Sequence, residues 1–211
     1  MAPPIPTLAR ESAAWAADRL LIGIDEAGRG PLAGPVVAAA VVFPRDVAML
    51  AGVRDSKTLS ASRRDRLAPA LRTTALLWAL GAASCREIDS LNIRVATILA
   101  MRRALERVLS RLGATPCEVL VDGLPVVELG HSHQALVGGD AHCYTIAAAG
   151  ILAKTLRDDL MQRLARRYPP YGWDRNMGYG TARHLAALTE VGPCAHHRRS
   201  FAPVSQLTLL R

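Results

Sequence analysis

The sequence is poor in aromatic residues and in paired cysteines. Aromatic residues make up 4% of its 211 positions, and its four cysteines include no Cys-x-x-Cys pair. A chain of this length does not need disulfides, so we expect reduced cysteines and a cytoplasmic protein. Half of the residues are hydrophobic. The core is therefore expected to consist mainly of Ala, Val, Leu and Ile.

Long apolar runs are also missing. The longest one, residues 35–44, is too short to span a bilayer and is rich in Val, as a buried strand is. Residues 1–10 contain no apolar segment after a basic start, so they do not resemble a signal peptide. We expect no membrane association, and no feature of the sequence requires more than a monomer.

Acidic residues are fewer than basic residues. Lys and Arg total 26 against 18 Asp and Glu, which gives a formal net charge of +8. Arg dominates, and its planar guanidinium suits bidentate contacts with phosphate. This balance favours a polyanionic partner such as nucleic acid, although charge alone leaves the question open because many basic proteins bind none.

The hydrophobic pattern predicts strands followed by helices, with one strand between the helices. Strands are predicted at residues 20–24, 36–43, 74–83 and 118–121, and helices at residues 11–18, 60–71, 87–112, 139–168 and 181–190, with a break near Asn92. This order predicts an α/β domain with a helical C-terminal addition. We divide the chain into a leader (1–18), a main domain (19–168) and a helical extension with a tail (169–211).

Four acidic residues lie where predicted strands or helices meet loops. Asp25 and Glu26 follow the first strand, Asp122 follows the last, and Asp140 begins the long helix. If those strands are neighbours with the same polarity, Asp25 and Asp122 converge. Clustered carboxylates repel one another unless cations neutralise them, and oxygen ligands suit Mg²⁺ or Mn²⁺ rather than zinc. The alternative is that each acid is an ordinary cap or turn residue, with Asp140 as an N-cap.

Several ordered motifs resemble those of ribonuclease HII. They are IDEAGRGPLAGP at 24–35, DSKTL at 55–59, VDG at 121–123, GD at 139–140, IAAA at 146–149, ILAK at 151–154, GYGT at 178–181 with His184, and HRRSFAPV at 197–204. A single block can arise by chance, but the whole set follows the family order over nearly the entire chain.

The resemblance implies an α/β fold in which a ribonuclease H-like mixed sheet is flanked by helices, with a helical C-terminal extension after a catalytic domain at 19–168. It implies an endonuclease that hydrolyses the RNA strand of RNA/DNA hybrids and cuts 5′ of single ribonucleotides in duplex DNA. The resemblance also implies a two-metal mechanism that uses Mg²⁺ or Mn²⁺ and leaves 5′-phosphate and 3′-hydroxyl products. It further implies a role in ribonucleotide removal during DNA replication and repair. By motif position, the catalytic, metal-binding acids are Asp25, Glu26, Asp122 and Asp140.

The resemblance also implies residues that read the ribonucleotide. Gly28, Arg29 and Gly30 match the family element for the 2′-hydroxyl, which is the group that separates RNA from DNA. Glycines let the backbone approach a sugar closely; the alternative is a plain turn with a solvated Arg. Tyr179 matches the family tyrosine that stacks on the sugar beside the cut, with a packing role as its alternative.

Three further residues are substrate candidates. Lys57 and Lys154 suit contacts with phosphates, and Ser56 can donate a hydrogen bond to one. The alternative for Lys154 is a structural ion pair, and for Ser56 a cap of its loop. Gly150 and Ala182 depart from the family pattern, which usually has Ser and often a basic residue there. The first departure removes a hydroxyl and the second a phosphate contact, but neither removes a metal ligand.

The C-terminal region contains two weaker patterns. Cys194, His196 and His197 fit no zinc spacing, so we expect them to be packed or to cap an element. Residues 206–210 resemble the short peptides that dock on the bacterial sliding clamp, although Leu210 stands where Phe is usual. The alternative is that this tail packs on its own domain.

Two rival functions remain open at this point. One is a non-catalytic nucleic-acid-binding or clamp-associated protein on the same fold, against which the presence of all four motif acids argues. The other is a nuclease of the same fold that acts on DNA junctions, against which Gly28, Arg29, Gly30 and Tyr179 argue.

Overall fold

The computed structural model of the protein describes residues 4–209. Residues 1–3 of the predicted leader lie outside the described residues. So does Leu210 of the predicted clamp-binding segment, together with Arg211. No helix among the described residues is long and apolar enough to cross a membrane.

A mixed five-stranded sheet forms the centre of the fold, with the strand order β3-β2-β1-β4-β5. Its strands are β1 (Leu20–Ala27), β2 (Val36–Val42), β3 (Leu77–Ala83), β4 (Cys117–Asp122) and β5 (Gln134–Leu136). β1 pairs antiparallel with β2 and parallel with β4. β2 is buried along its whole length, as its unbroken apolar sequence predicted.

The predicted end of the first strand was wrong. β1 continues through Asp25 and Glu26, because these residues pair with Ala39 and Ala38 of β2. The local apolar run stops at Ile24, whereas partner pairing carries the strand through polar residues. The three-residue β5 was not predicted, since so short a strand leaves no periodic pattern.

Helices cover both faces of the sheet, which confirms the predicted α/β architecture. They are α1 (Ala9–Ala16), α2 (Ala61–Thr74), α3 (Cys85–Leu91), α4 (Ile93–Leu112), α5 (Tyr144–Arg167), α6 (Trp173–Asn176), α7 (Ala182–Val191) and α8 (Val204–Leu209). α4 packs on the face that presents Ile22 and Ile24, and α2 and α5 pack on the face that presents Val37 and Ala39. The predicted break occurs at Asn92, which has φ 70° and caps α4.

The predicted start of the long helix was also wrong. Residues 139–141 form a separate 3₁₀ turn, and α5 begins only at Tyr144. Cys143 is extended and forms a parallel bridge with Thr7, which separates the two helical pieces. Asp140 therefore lies in the turn that precedes α5 and does not cap that helix.

The predicted leader contains a helix that packs on the main domain. Glu11 of α1 is 1% exposed, and its carboxylate accepts hydrogen bonds from Thr145 N at 2.7 Å and Thr145 Oγ1 at 2.6 Å. Cys143 supplies no side-chain cap for α5, so Glu11 satisfies donors at that helix start and lies at the positive end of its dipole.

We expect Glu11→Ala to lower the free energy of unfolding by on the order of 1–3 kcal/mol, because it leaves buried donors of Thr145 without an acceptor. Urea denaturation measures the change. Glu106→Ala, at an exposed position of α4, is the matched control and should have little effect. Equal stability of the Glu11 variant and the wild type would contradict this capping role.

The segments after residue 168 share a hydrophobic cluster with the main domain. Trp173 and Leu188 pack with Met161 of α5 and with Leu32 of the loop after β1. The helical character of this extension agrees with the sequence analysis. The division of the chain at residues 18 and 168 remains a prediction.

Candidate active site

Three aspartates converge beside the carboxyl end of β1. In the parallel pair of β1 and β4, Ile24 is level with Val121, so Asp25 and Asp122 follow at the same height on adjacent strands. The 3₁₀ turn brings Asp140 to them, and Asp122 Oδ1 accepts a hydrogen bond from Gly139 N at 2.7 Å. One carboxylate oxygen from each aspartate lies within 4.8 Å of the other two.

Burial and the charges of neighbouring acids make Asp25 and Asp140 costly to ionise without a cation. Burial raises the pKa of Asp25 well above its usual range, and the charges of Glu26 and Asp122 raise it further. The pKa of Asp140 is raised to about 6, first by burial and then by Asp55 and Asp122. A hard divalent cation such as Mg²⁺ or Mn²⁺ would be bound by these oxygen donors and would offset the repulsion between their charges.

Glu26 lies beside the three aspartates but is not one of them. Its Oε1 is 3.4 Å from Nη1 of Arg29, and its backbone N–H donates to Asp25 Oδ1 at 2.7 Å. Burial raises the pKa of Glu26 although Arg29 opposes the rise. Of the four predicted acids, the structure thus brings three into one group and places the fourth at its rim.

Gly150 of α5 provides space for Asp25. A Cβ atom at this position would lie 2.2 Å from Asp25 Oδ2 and 3.7 Å from Ser56 Oγ. Glycine in a helix interior costs on the order of 0.5–1 kcal/mol relative to Ala. In this chain the Asp25 carboxylate occupies the space that a side chain at position 150 would fill.

A cavity of about 340 Å³ is lined by Glu26 and by all seven residues that the sequence analysis assigned to the substrate. Its walls are formed by Glu26, Ala27, Gly28, Arg29, Gly30, Ser56, Lys57, Lys154 and Tyr179. The chain has only two lysines, and both are in this list. Such a concentration of cations beside the acids suits a ligand that carries phosphates.

The two lysines have different surroundings. Burial lowers the pKa of Lys57, but Asp25 and the neighbouring aspartates outweigh this effect, so its pKa is raised. Lys154 Nζ lies 2.5 Å from Asp158 Oδ1, and burial lowers the pKa of Lys154. The structural ion pair considered for Lys154 is therefore present, on a side chain that also lines the cavity.

Ser56 and Tyr179 complete the cavity wall. Ser56 is buried, and its carbonyl accepts a hydrogen bond from Arg64 Nη1 at 3.1 Å. Tyr179 is 48% exposed, and a side chain at Gly30 would lie 3.6 Å from its ring. An exposed ring next to a glycine offers a flat surface to a ligand in the cavity.

Two buried histidines, His184 and His197, lie behind Tyr179 and contact each other. The sequence analysis did not predict this arrangement. His184 Nδ1 lies 2.9 Å from the Tyr179 carbonyl, and His184 Nε2 lies 3.0 Å from His197 Nε2 and 3.1 Å from Trp173 Nε1. The backbone N–H of Cys194 donates to His197 Nδ1. His197 is 2% exposed and accepts this bond, in agreement with the packed or capping role expected for it. Within the part of the chain that the structure describes, the three aspartates are the group whose ligand atoms lie close enough to share a metal ion.

Two buried arginines were also missed. Arg157 and Arg198 are 1% and 0% exposed and donate hydrogen bonds to carbonyls of the loop after β1. Arginine usually lies at the surface. The sequence shows Arg198 only as part of a motif, and no pattern in it reveals that the side chain is buried.

We expect Asp140→Asn to stabilise the metal-free protein, because it removes one of the crowded charges. The pKa of Asp140 is raised from 3.8 to about 6, so the unfolded chain loses this proton first as the pH rises, and ionisation then destabilises the fold. The gain in unfolding free energy should be on the order of 1–2 kcal/mol at neutral pH in EDTA, and close to zero near a pH of about 3.8.

Urea denaturation at the two pH values measures this gain. Asp46→Asn, at an exposed position after β2, serves as the control. An Asp140→Asn protein that is no more stable than the wild type at neutral pH would show that the carboxylates do not repel one another as described.

Comparisons with known proteins add three findings. The family model described as Ribonuclease HII matches residues 22–204. Ribonuclease HII of Sphingopyxis alaskensis is 54% identical over 191 residues, which are 90% of this chain and 93% of that protein. Bst-RNase HIII, solved in complex with Mn²⁺, has a TM-score of 0.76 at 21% identity, over 92% of this chain and 70% of that one.

A further solved structure is similar to this chain. Ribonuclease HII of Archaeoglobus fulgidus, solved in a complex with PCNA, has a TM-score of 0.69 at 27% identity, over 86% of this chain and 95% of that one. The structural likenesses confirm the predicted ribonuclease H-like fold.

Proposed function

The chain belongs to the ribonuclease HII family, and we propose that it cuts duplex DNA on the 5′ side of single embedded ribonucleotides, leaving 5′-phosphate and 3′-hydroxyl ends. As a member of this family it is a metal-dependent endoribonuclease that cleaves the RNA strand of RNA/DNA hybrids. The proposed role is the removal of ribonucleotides during DNA replication and repair. A monomeric, cytoplasmic enzyme remains the prediction from the sequence.

The observation that carries the proposal is the position of Glu26, which lies next to Asp25 and also lines the cavity that contains the substrate candidates. Asp25, Asp122 and Asp140 would hold the metal, and Glu26 would contribute from the rim that it shares with the cavity. Divalent cations bound there, two in the proposed mechanism, would stabilise both the attacking and the leaving oxygen of phosphodiester hydrolysis. The donor set suits Mg²⁺ and Mn²⁺ alike.

The loop at residues 28–30 would read the sugar. Within the described part of the chain, no acceptor pairs with the backbone N–H of Gly28, Arg29 or Gly30. These three residues line the cavity, so their N–H groups are available to a 2′-hydroxyl or a neighbouring phosphate. The exposed ring of Tyr179, on the same wall, would stack on the adjacent sugar.

The cations of the cavity would position the strand. Lys57 carries its charge close to the aspartates and would bind the phosphate next to the cut. Lys154 would be a weaker contact, because Asp158 already holds its ammonium group. Ser56, which is buried at the same wall, would donate a hydrogen bond to the strand.

The first test uses a labelled DNA duplex that contains one ribonucleotide. We expect the wild-type protein to nick it on the 5′ side of the ribonucleotide with Mg²⁺ or Mn²⁺, and EDTA to stop the reaction. Asp122→Asn should reduce the rate on the order of 10²-fold or more, because one ligand of the metal is weakened. Denaturing gel electrophoresis with size markers measures the position and the rate.

The control substrate is an all-DNA duplex of the same sequence, which should remain intact. Tight binding of both duplexes without a cut, also on a longer hybrid, would favour the non-catalytic alternative. Cleavage of DNA junctions in preference to the ribonucleotide would favour the junction nuclease. Either result would overturn the proposed specificity.

We also propose a contact between residues 206–210 and the sliding clamp. The support is the resemblance of this segment to clamp-binding peptides, and the Archaeoglobus fulgidus relative was solved in a complex with PCNA. Deleting residues 206–211 should abolish clamp binding measured by surface plasmon resonance while the melting temperature stays the same. Unchanged binding after the deletion, or no binding by the full chain, would contradict the contact.

A further inference from the structure

Two buried guanidinium groups hold the loop that follows β1. Arg198 Nη2 donates to the Gly28 carbonyl at 2.5 Å, and its Nη1 donates to the Arg29 carbonyl at 2.7 Å. Nε and Nη2 of Arg198 both reach the Gly34 carbonyl, at 3.0 and 2.9 Å. A single side chain therefore joins the two ends of the loop.

Arg157 of α5 holds the same loop from the other side. It donates to the carbonyls of Ala33, Pro35 and Met177, each at 3.0 Å. Gly28 has φ +95°, and a Cβ atom there would lie 2.0 Å from Arg157 Nε. The loop backbone thus lies directly on the guanidinium, and only glycine fits at this position.

This arrangement is electrostatically expensive. Neither guanidinium forms an ion pair with a carboxylate of the described residues. Burial, and after it the charge of Arg157, lower the pKa of Arg198 to about 10. Buried charges without a counterion are retained only where their hydrogen bonds matter, and here the acceptors are carbonyls of the loop.

The segment that carries Arg198 also pairs with the loop. His197 forms an antiparallel bridge with Ala33, and Arg198 N donates to the Leu32 carbonyl at 2.9 Å. The ring of Phe201 lies under the guanidinium, 5.1 Å from its central carbon. The C-terminal extension therefore packs against the buried side of the loop after β1, which belongs to the main domain.

We propose that Arg198 is a positioning residue for ribonucleotide recognition, which rests on the function proposed above. By binding the carbonyls of Gly28 and Arg29 inside the protein, it fixes both peptide planes. Those planes carry the N–H groups of Arg29 and Gly30, for which the described chain offers no acceptor, and these groups then stay available to the cavity. Arg198 itself does not touch the substrate in this account.

The test compares Arg198→Lys with the wild type. Lys keeps the charge but cannot form the planar fork that reaches several carbonyls at once. The readout is the KM for the duplex with one ribonucleotide, relative to the inhibition constant of the all-DNA duplex used as a competitor. We expect this preference to fall by about tenfold or more, while the inhibition constant of the all-DNA duplex changes by less than about twofold.

Arg103→Lys is the matched control. Arg103 also donates to a carbonyl, that of Ala82, and pairs with Glu87, but neither of these partners belongs to the loop. This control should keep the wild-type preference. A wild-type protein with no preference would defeat the proposed function itself, whereas a preference that survives in Arg198→Lys would defeat only the positioning role.

Misfolding is separated from positioning by circular dichroism and a second variant. If Arg198→Lys does not fold, Phe201→Leu removes only the ring under the guanidinium and should lower the preference in the same direction by about two- to threefold. A folded Phe201→Leu protein with the wild-type preference would contradict the inference. So would an Arg198→Lys protein that loses affinity for both duplexes equally.

Discussion

Repulsion among the clustered carboxylates of Asp25, Asp122 and Asp140 constrains the elements that surround them. Asp25 and Asp122 face the same side of the sheet because β1 and β4 are parallel neighbours in a fixed register. The turn before α5 adds Asp140 at a distance that a cation can bridge. Holding these charges together without a counterion lowers the free energy of unfolding. The destabilising carboxylates lie where phosphodiester hydrolysis requires a metal.

Glu26 links the three aspartates to the cavity that the loop after β1 lines. Gly150 leaves room for Asp25, and α1 supplies the carboxylate that satisfies donors at the start of α5. Arg198 of the C-terminal extension donates a hydrogen bond to the Gly28 carbonyl of the loop after β1. In the proposed function, chemistry and recognition would lie on adjoining elements, and the fold would set the distance between the cut and the sugar that is read.

Much of this arrangement follows from the sequence, because periodicity and motif order are local properties. The apolar runs predicted four of the five strands, and the acids were found where those runs meet polar loops. Local sequence patterns did not predict the ends of elements that are set by tertiary contacts. Pairing with β2 carries β1 through Asp25 and Glu26, and the bridge between Thr7 and Cys143 delays the start of α5. The burial of Arg198 depends on a contact about 170 residues away, and no local signal encodes it.

Metal binding by the three aspartates can be tested with an anomalous difference map from crystals of the protein soaked in Mn²⁺. We expect a strong peak within coordination distance of carboxylate oxygens from Asp25, Asp122 and Asp140, and its loss in crystals of Asp122→Asn. A map with no peak among these aspartates, or with manganese bound only at the buried histidines His184 and His197, would contradict it.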